Sequence, residues 1–274
     1  MKFTLQLQLF LRSFFLQTSW NYVRYQNIGL TFIMWPWLKY LYKENPQQLP
    51  SVLERYLETF NTHPVMASFC FGALAKQEEK IAKDRSSDHV QKNLLRWVDT
   101  RRSLSITTAS IGDRLFWGSL KPLTLLLALF ICLFLHINFF EPDLAQTEPS
   151  AYIWVALLSA WLVFNSVALF VKWIGISLGY RCEENVCFGL ICFDWNKTIY
   201  YAKKIGILLA LLMLFLGAYF FFKATGPLPN YHAMARGTLM VFFILCSWMA
   251  HKLRVANLYI YLIAVLMFGL VSLF

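Results

Sequence analysis

I-G-D-R-L-F-W-G-S-L-K-P, Ile111 to Pro122, divides a chain of 274 residues into two halves of unlike chemistry. Ahead of it charged residues come every few positions; behind it, from Leu123 to Phe140, there is no Asp, Glu, Lys or Arg. Gly112 frees the backbone for a sharp turn, and Asp113 suits a helix N-cap, its carboxylate accepting orphan N–H bonds. From that cap Trp117 falls one turn along, while Arg114, Gly118 and Lys121 share a neighbouring face. A carboxylate, two cations and an aromatic thus stand at the brink of a hydrophobic span. Polar groups at membrane depth mark paths for solute or ions. Ordinary interfacial anchoring is the alternative, and these residues alone leave both open.

The composition supports a membrane setting. The chain is 58% hydrophobic and only 15% charged, where a soluble domain carries roughly a quarter charged residues. The formal net charge is +10, with 16 Lys/Arg against 9 Asp/Glu up to Lys121 and 9 against 6 beyond it. In a membrane protein such an excess reports loops kept on the cytosolic side, and it gives no reason to invoke nucleic acid. The fold class read from this pattern is an α-helical integral membrane protein.

Five apolar stretches follow the dividing block: Pro122–Phe140, Tyr152–Val171, Ile205–Phe222, the short Leu239–Ala250, and Leu258–Phe274. About 20 apolar residues cross a bilayer, so the fourth is marginal and reads as re-entrant or extended. The segment Glu141–Ser150 is acidic, whereas Lys172–Lys204 and His251–Arg254 are basic. That asymmetry places the polar N-terminal region in the cytosol and the C-terminus outside.

Three zones result: interfacial or re-entrant helices over 1–45, a cytosol-facing helical region over 46–121, and transmembrane helices over 122–274. In the first zone Asn21, Arg24, Gln26 and Asn27 interrupt an aromatic run. Such a segment lies along the interface or is covered by protein, because bare polar groups are costly in lipid. The opening Met1–Leu16 reads as uncleaved, since Gln6, Gln8 and Arg12 break the apolar run. Trp35-Pro36-Trp37 reads as an interfacial anchor with a kink. In the second zone a helix starting at Pro50-Ser51 ends at F-N-T-H-P, Phe60 to Pro64. Pro64 disfavours helical geometry at His63, which leaves Asn61, Thr62 and His63 on a turn with free side chains. They suit a polyhydroxy ligand, or they simply close the turn. Ala73 to Arg102, with eight Lys/Arg and five Asp/Glu, reads as a solvated helical hairpin. Cys182, Cys187 and Cys192 lack the pair spacing and fourth ligand of a zinc site, so no metal or other cofactor is expected. No phosphate-cradling glycine loop, H-E-x-x-H or nucleophile elbow is present, and no catalytic residue is assigned.

Four ordered blocks resemble the IID membrane subunit of the mannose-type (mannose/fructose/sorbose) bacterial phosphotransferase system. They are the stretch from Phe10 to Gly29, F-N-T-H-P-V-M-A-S from Phe60 to Ser68, the I-G-D block itself, and Phe164-Asn165 with Trp173, Gly175 and Gly179-Tyr180. The resemblance implies a non-catalytic transport subunit of the bacterial inner membrane. It implies pairing with a IIC subunit in a trimer of IIC–IID pairs, and cytosolic IIA and IIB components that phosphorylate a hexose-type sugar. Asn61, Thr62 and His63 are then the expected sugar ligands, supported by Asn21, Gln26 and Asn27, with Gly112, Asp113, Arg114 and Trp117 positioning a loop. The chain departs from the family in having Ser105–Ser110 where a Gly/Pro-rich run leads to I-G-D, and Arg114 where a small residue follows the Asp. A divergent, non-transporting paralogue that partners IIC structurally or as a regulator is the alternative.

Overall fold

The computed structural model of the chain describes residues 1–84, 87–139, 151–182 and 184–225. Every regular element among them is helical. The chain divides into Met1–Ala210 and Leu211–Phe274, and the first unit holds all the chemistry described below.

The aromatic N-terminal run folds as α1 (Phe3–Arg12) and α2 (Asn27–Leu41). Leu5 and Leu9, one turn apart, turn the buried side of α1 inward. Pro36 lies inside α2, but Trp37 beside it is no interfacial anchor. Its ring is buried, and its indole N–H donates to the Ala75 carbonyl at 2.9 Å. A lone apolar ring with a satisfied N–H is more stable in the core than at the surface. After a turn at Pro46–Gln48 comes α3 (Leu49–Tyr56), which stops before Phe60.

Helices α4 (Ala67–Lys83) and α5 (Ser87–Gly112) form the expected hairpin, yet α4 is not solvated. From Ala67 to Ala75 every residue is buried, because α4 packs along α7 (Ala151–Arg181). The two backbones approach so closely that a methyl at Gly72 would meet the Ile176 carbonyl and one at Gly179 the Phe69 carbonyl. Small residues at such a crossing are what lets apolar helices associate by close packing. One turn beyond Leu74 and Ala75, Glu78 sits on the same inward face and is fully buried. Its carboxylate accepts from Tyr42 (2.7 Å) and Tyr56 (3.1 Å) and pairs with Arg55, joining α3 and α4 to the end of α2. Burial pushes the Glu78 carboxyl pKa up, against the pull of Arg55 and the two phenols.

The dividing block contains no loop. Helix α5 continues directly into a π-helix over Asp113–Leu120 and then into α6 (Lys121–Phe139). Gly112 is right-handed helical (φ −62°, ψ −46°), and Asp113 makes no capping hydrogen bond. The run Ser105–Ser110 is likewise helix, not a glycine-poor loop. Pro122 lacks an N–H, and its ring crowds the carbonyl one turn back, so the ladder ahead of it reorganises. It does so by widening, and the Ser119 hydroxyl donates to the Arg114 carbonyl at 2.8 Å across that widened turn.

Among the described residues two continuous helices are long and apolar enough to cross a membrane: Asp88–Cys132, 45 residues, and Ile153–Arg181, 29 residues. The first begins well before Pro122, and its N-terminal part is the polar arm of the hairpin. The expected stretch Ile205–Phe222 lies in helix α8 (Trp195–Thr225). Leu239–Ala250 and Leu258–Phe274 lie outside the described residues, so two spans, not about five, are found here.

Candidate functional site

Asn21, Gln26, Asn27, Thr62 and His63 meet where the α1–α2 connection crosses the loop between α3 and α4. The two segments are laced at the backbone, with the Gln26 N–H donating to the Phe60 carbonyl (2.8 Å) and the Phe60 N–H to that of Arg24 (3.3 Å). Side-chain amides complete the lacing. The Gln26 amide both donates to the Thr62 carbonyl (2.9 Å) and accepts from the Thr62 N–H (3.0 Å). Asn27 donates to the Leu57 carbonyl (2.6 Å), and Asn21 in turn donates to the Asn27 Oδ1 (2.9 Å). Tyr25, between them, is held at φ +58°, a left-handed conformation that costs a bulky L-residue free energy. The amides hold loop backbone and do not point free into a cavity.

Thr62 and His63 also differ from their expected free state; both are buried, and only Asn61 is exposed. A loop with unpaired backbone groups cannot be buried cheaply, and the Gln26 amide removes that cost for Thr62. The Thr62 hydroxyl lies 2.7 Å from that of Thr108 on α5, which donates to the Leu104 carbonyl at 2.6 Å. Cys70 Sγ is 3.4 Å from the same Thr108 oxygen. Thr108 was not singled out in the sequence, although it falls one turn from Leu104 and from Gly112, on the inward face of α5.

His63 lies against the π-helix. Its ring stacks on Phe116 (centroids 5.1 Å apart, 15° between planes) and meets Trp117 edge-on at 6.2 Å. The ring root fills the space that a side chain at Gly112 would need. His63 Nδ1 accepts from the Val65 N–H at 3.3 Å. The neutral ring therefore carries its proton on Nε2, and Nε2 is buried with no hydrogen-bond partner among the described residues. Burial pulls the imidazole pKa down to about 4, with Asp113 opposing and Lys172 assisting. Asp113, Arg114 and Trp117 themselves are exposed, with Lys121 Nζ over the Trp117 ring at 5.6 Å. Gly112 thus serves close packing, and no loop exists for the other three to position. Among the described residues no cluster of His, Cys, Asp and Glu is placed to hold a metal ion.

Among the described residues, two helices long and apolar enough to cross a membrane, one of them packed on α4 through glycines, and a buried polar cluster where the α3–α4 loop meets α5 place the chain among helical membrane proteins. Residues 4–139, 136 of the chain's 274, match the PTS system mannose/fructose/sorbose family IID component. It is 31% identical over 172 residues to the fructose permease IID component of Bacillus subtilis (strain 168), covering 63% of this chain and 54% of that protein. Against the mannose-specific EIID component of Escherichia coli (strain K12) the identity is 30%, with 63% and 53% covered. Against the sorbose-specific EIID component of Klebsiella pneumoniae it is 32% over 178 residues, with 65% and 57% covered. The chain thus spans about half the length of the curated relatives it matches.

Two solved structures share the fold. One is a chain of the mannose transporter ManYZ in complex with microcin E492, at 24% identity and TM-score 0.55, covering 78% of this chain and 70% of that one. The other, described only as a membrane protein, has 21% identity and TM-score 0.60 over 98% and 95% of the two chains.

Proposed function

We propose that the chain is the membrane subunit of a phosphotransferase-type sugar transporter, pairing with a IIC subunit to translocate a hexose. In this reading IIC–IID pairs assemble as a trimer in the bacterial inner membrane. Cytosolic IIA and IIB components carry the phosphoryl group, and this chain performs no covalent step. The stretch Ile205–Phe222 and the two beyond it bring the spans to about five, with the polar N-terminal region cytosolic and the C-terminus outside. Parts of residues 1–45 then dip into the membrane under the cover of other helices.

The observation that carries the site is His63 Nε2, a buried N–H without an acceptor among the described residues, two positions along the turn from the exposed Asn61. A buried donor left unpaired costs free energy that a ligand oxygen recovers. Sugar hydroxyls supply such acceptors. Asn61, Thr62 and His63 form the sugar-facing turn, and Asn21, Gln26 and Asn27 preorganise it. Coexpression with IIC, IIA and IIB partners should then give phosphoenolpyruvate-dependent uptake of a hexose, and Asn61→Ala should abolish it without lowering the amount of protein in the membrane. Unchanged uptake in Asn61→Ala would remove the turn from the sugar path.

The burial of Thr62 and His63 among the chain's own helices favours a second reading, a paralogue that binds IIC but no longer transports. Co-purification with IIC and no uptake across a sugar panel would establish it.

A further inference from the structure

The end of α7 carries a second site, independent of the sugar-facing turn. Lys76 and Lys80 of α4, Arg96 of α5 and Arg181 of α7 line one cleft, with the amides of Gln77 and Asn93 between them. Among the described residues no carboxylate lines it. Lys76 pairs with Glu79 at 3.3 Å, whereas Lys80, Arg96 and Arg181 have no counter-ion among the described residues. The two amides are anchored, Gln77 to the Thr100 hydroxyl (2.6 Å) and Asn93 to Asp84 (3.1 Å), so the walls of the cleft are fixed. Like charges gathered on three helices repel one another unless an anion shares the space.

The depth of the cleft narrows the anion. Ile153–Arg181 has 29 residues, about 43 Å of helix at 1.5 Å per residue. That is about the thickness of a bilayer with its headgroups, so Arg181 falls at headgroup level. Tyr180 beside it, with Lys76 Nζ at 5.0 Å from its ring, is the aromatic–cation pairing expected at that level. Two arginine forks and a lysine suit the several acceptor oxygens of a phosphate better than the two of a carboxylate.

We propose that this cleft binds a phosphate group, carried either by an anionic phospholipid or by a soluble phosphate monoester. The test uses the full chain in nanodiscs of phosphatidylcholine with or without phosphatidylglycerol. Three forms are compared: wild type, Lys80→Gln/Arg181→Gln, and the charge-preserving Lys80→Arg/Arg181→Lys. Native mass spectrometry reads lipid retained on the protein, and titration calorimetry in phosphatidylcholine alone reads binding of a hexose 6-phosphate and of inorganic phosphate. Selective retention of phosphatidylglycerol assigns the lipid source, and saturable hexose phosphate binding the soluble one. In either case the glutamine variant should bind about tenfold more weakly, and the charge-preserving variant should bind as wild type does. Absence of both signals overturns the proposal. So does equal binding by the glutamine variant, or equal loss in both variants, which would mark the side chains as merely structural.

Discussion

Gly112→Ala sets two physical effects against each other, and the structure says which prevails. Gly112 lies in a regular helical conformation with helix on both sides. Helix propensity alone therefore predicts that alanine stabilises the protein by about 0.8–1.0 kcal/mol. The new methyl, however, would lie 2.8 Å from His63 Nδ1 and nearer still to His63 Cβ and Cγ, where ordinary contact begins at 3.4 Å. These are atoms at the root of a side chain stacked on Phe116, not the far end of a flexible one, so the loop itself must retreat by more than half an ångström. Overpacking of this kind costs about 1–3 kcal/mol, and dislodging the Thr62 lacing adds to it. The expected net change is a loss of about 1–2 kcal/mol, a fall of about 2–8 °C in Tm for a domain of this size. Thermal unfolding of the detergent-solubilised chain, followed by tryptophan fluorescence, reads it directly. A double-mutant cycle with His63→Gly, which removes Cβ together with the ring, separates the causes: in the His63→Gly background Gly112→Ala should raise Tm. A rise in Tm for Gly112→Ala in the wild-type background would refute the reasoning, because the contact with His63 would then exert no force.

Gln26→Leu strands a buried N–H and a buried carbonyl of Thr62, at about 1–3 kcal/mol each; it should lower Tm by about 4–24 °C, and an unchanged Tm would show that the amide does not hold the loop. His63 makes stability depend on pH. Its imidazole takes a proton near 6.5 when unfolded and only near 4 when folded, chiefly through burial, between Asp113 and Lys172. Below pH 6.5 the unfolded state alone binds the proton, so stability is complete above 6.5 and falls toward pH 4, by at most about 3 kcal/mol. Denaturant titrations of wild type and His63→Phe between those limits should differ in slope, and parallel profiles would contradict the assignment.

Much of the fold was legible because it is written in local chemistry. Pro50 marks the first turn of α3, although that helix ends at Tyr56, well ahead of Pro64, and the uncharged run after Lys121 gives α6. What misled was chemistry with two equally good local uses. A Gly-Asp pair serves a cap or a packed helix surface, and only a partner on another segment decides between them. Trp35 and Trp37 look alike in sequence, yet one faces outward and the other lends its N–H to Ala75, thirty-eight positions away. Glu78 could have been found, because Leu74, Ala75, Glu78 and Ile81 follow helical spacing and place a carboxylate on an apolar stripe. Gln26 meets the Asn61–His63 turn at the Thr62 backbone, while Asn27 ties Leu57 and Asn21 ties Asn27, through hydrogen bonds that no side-chain pattern reveals.

The departure of Ser105–Ser110 from a glycine-rich run takes on a different sense once Thr108, Gly112 and Phe116 are considered together. They stand at intervals of four, crossing from α5 into the π-helix. Each meets the same loop: Thr108 bonds the Thr62 hydroxyl, Gly112 admits the root of His63, and Phe116 stacks on its ring. A strip so arranged requires one residue without a side chain, and that residue is present. The positions before it are helix, where glycine would cost stability and threonine supplies a hydroxyl. The substitution therefore leaves the seat of the Asn61–His63 turn intact, with Asn61 alone of the three exposed.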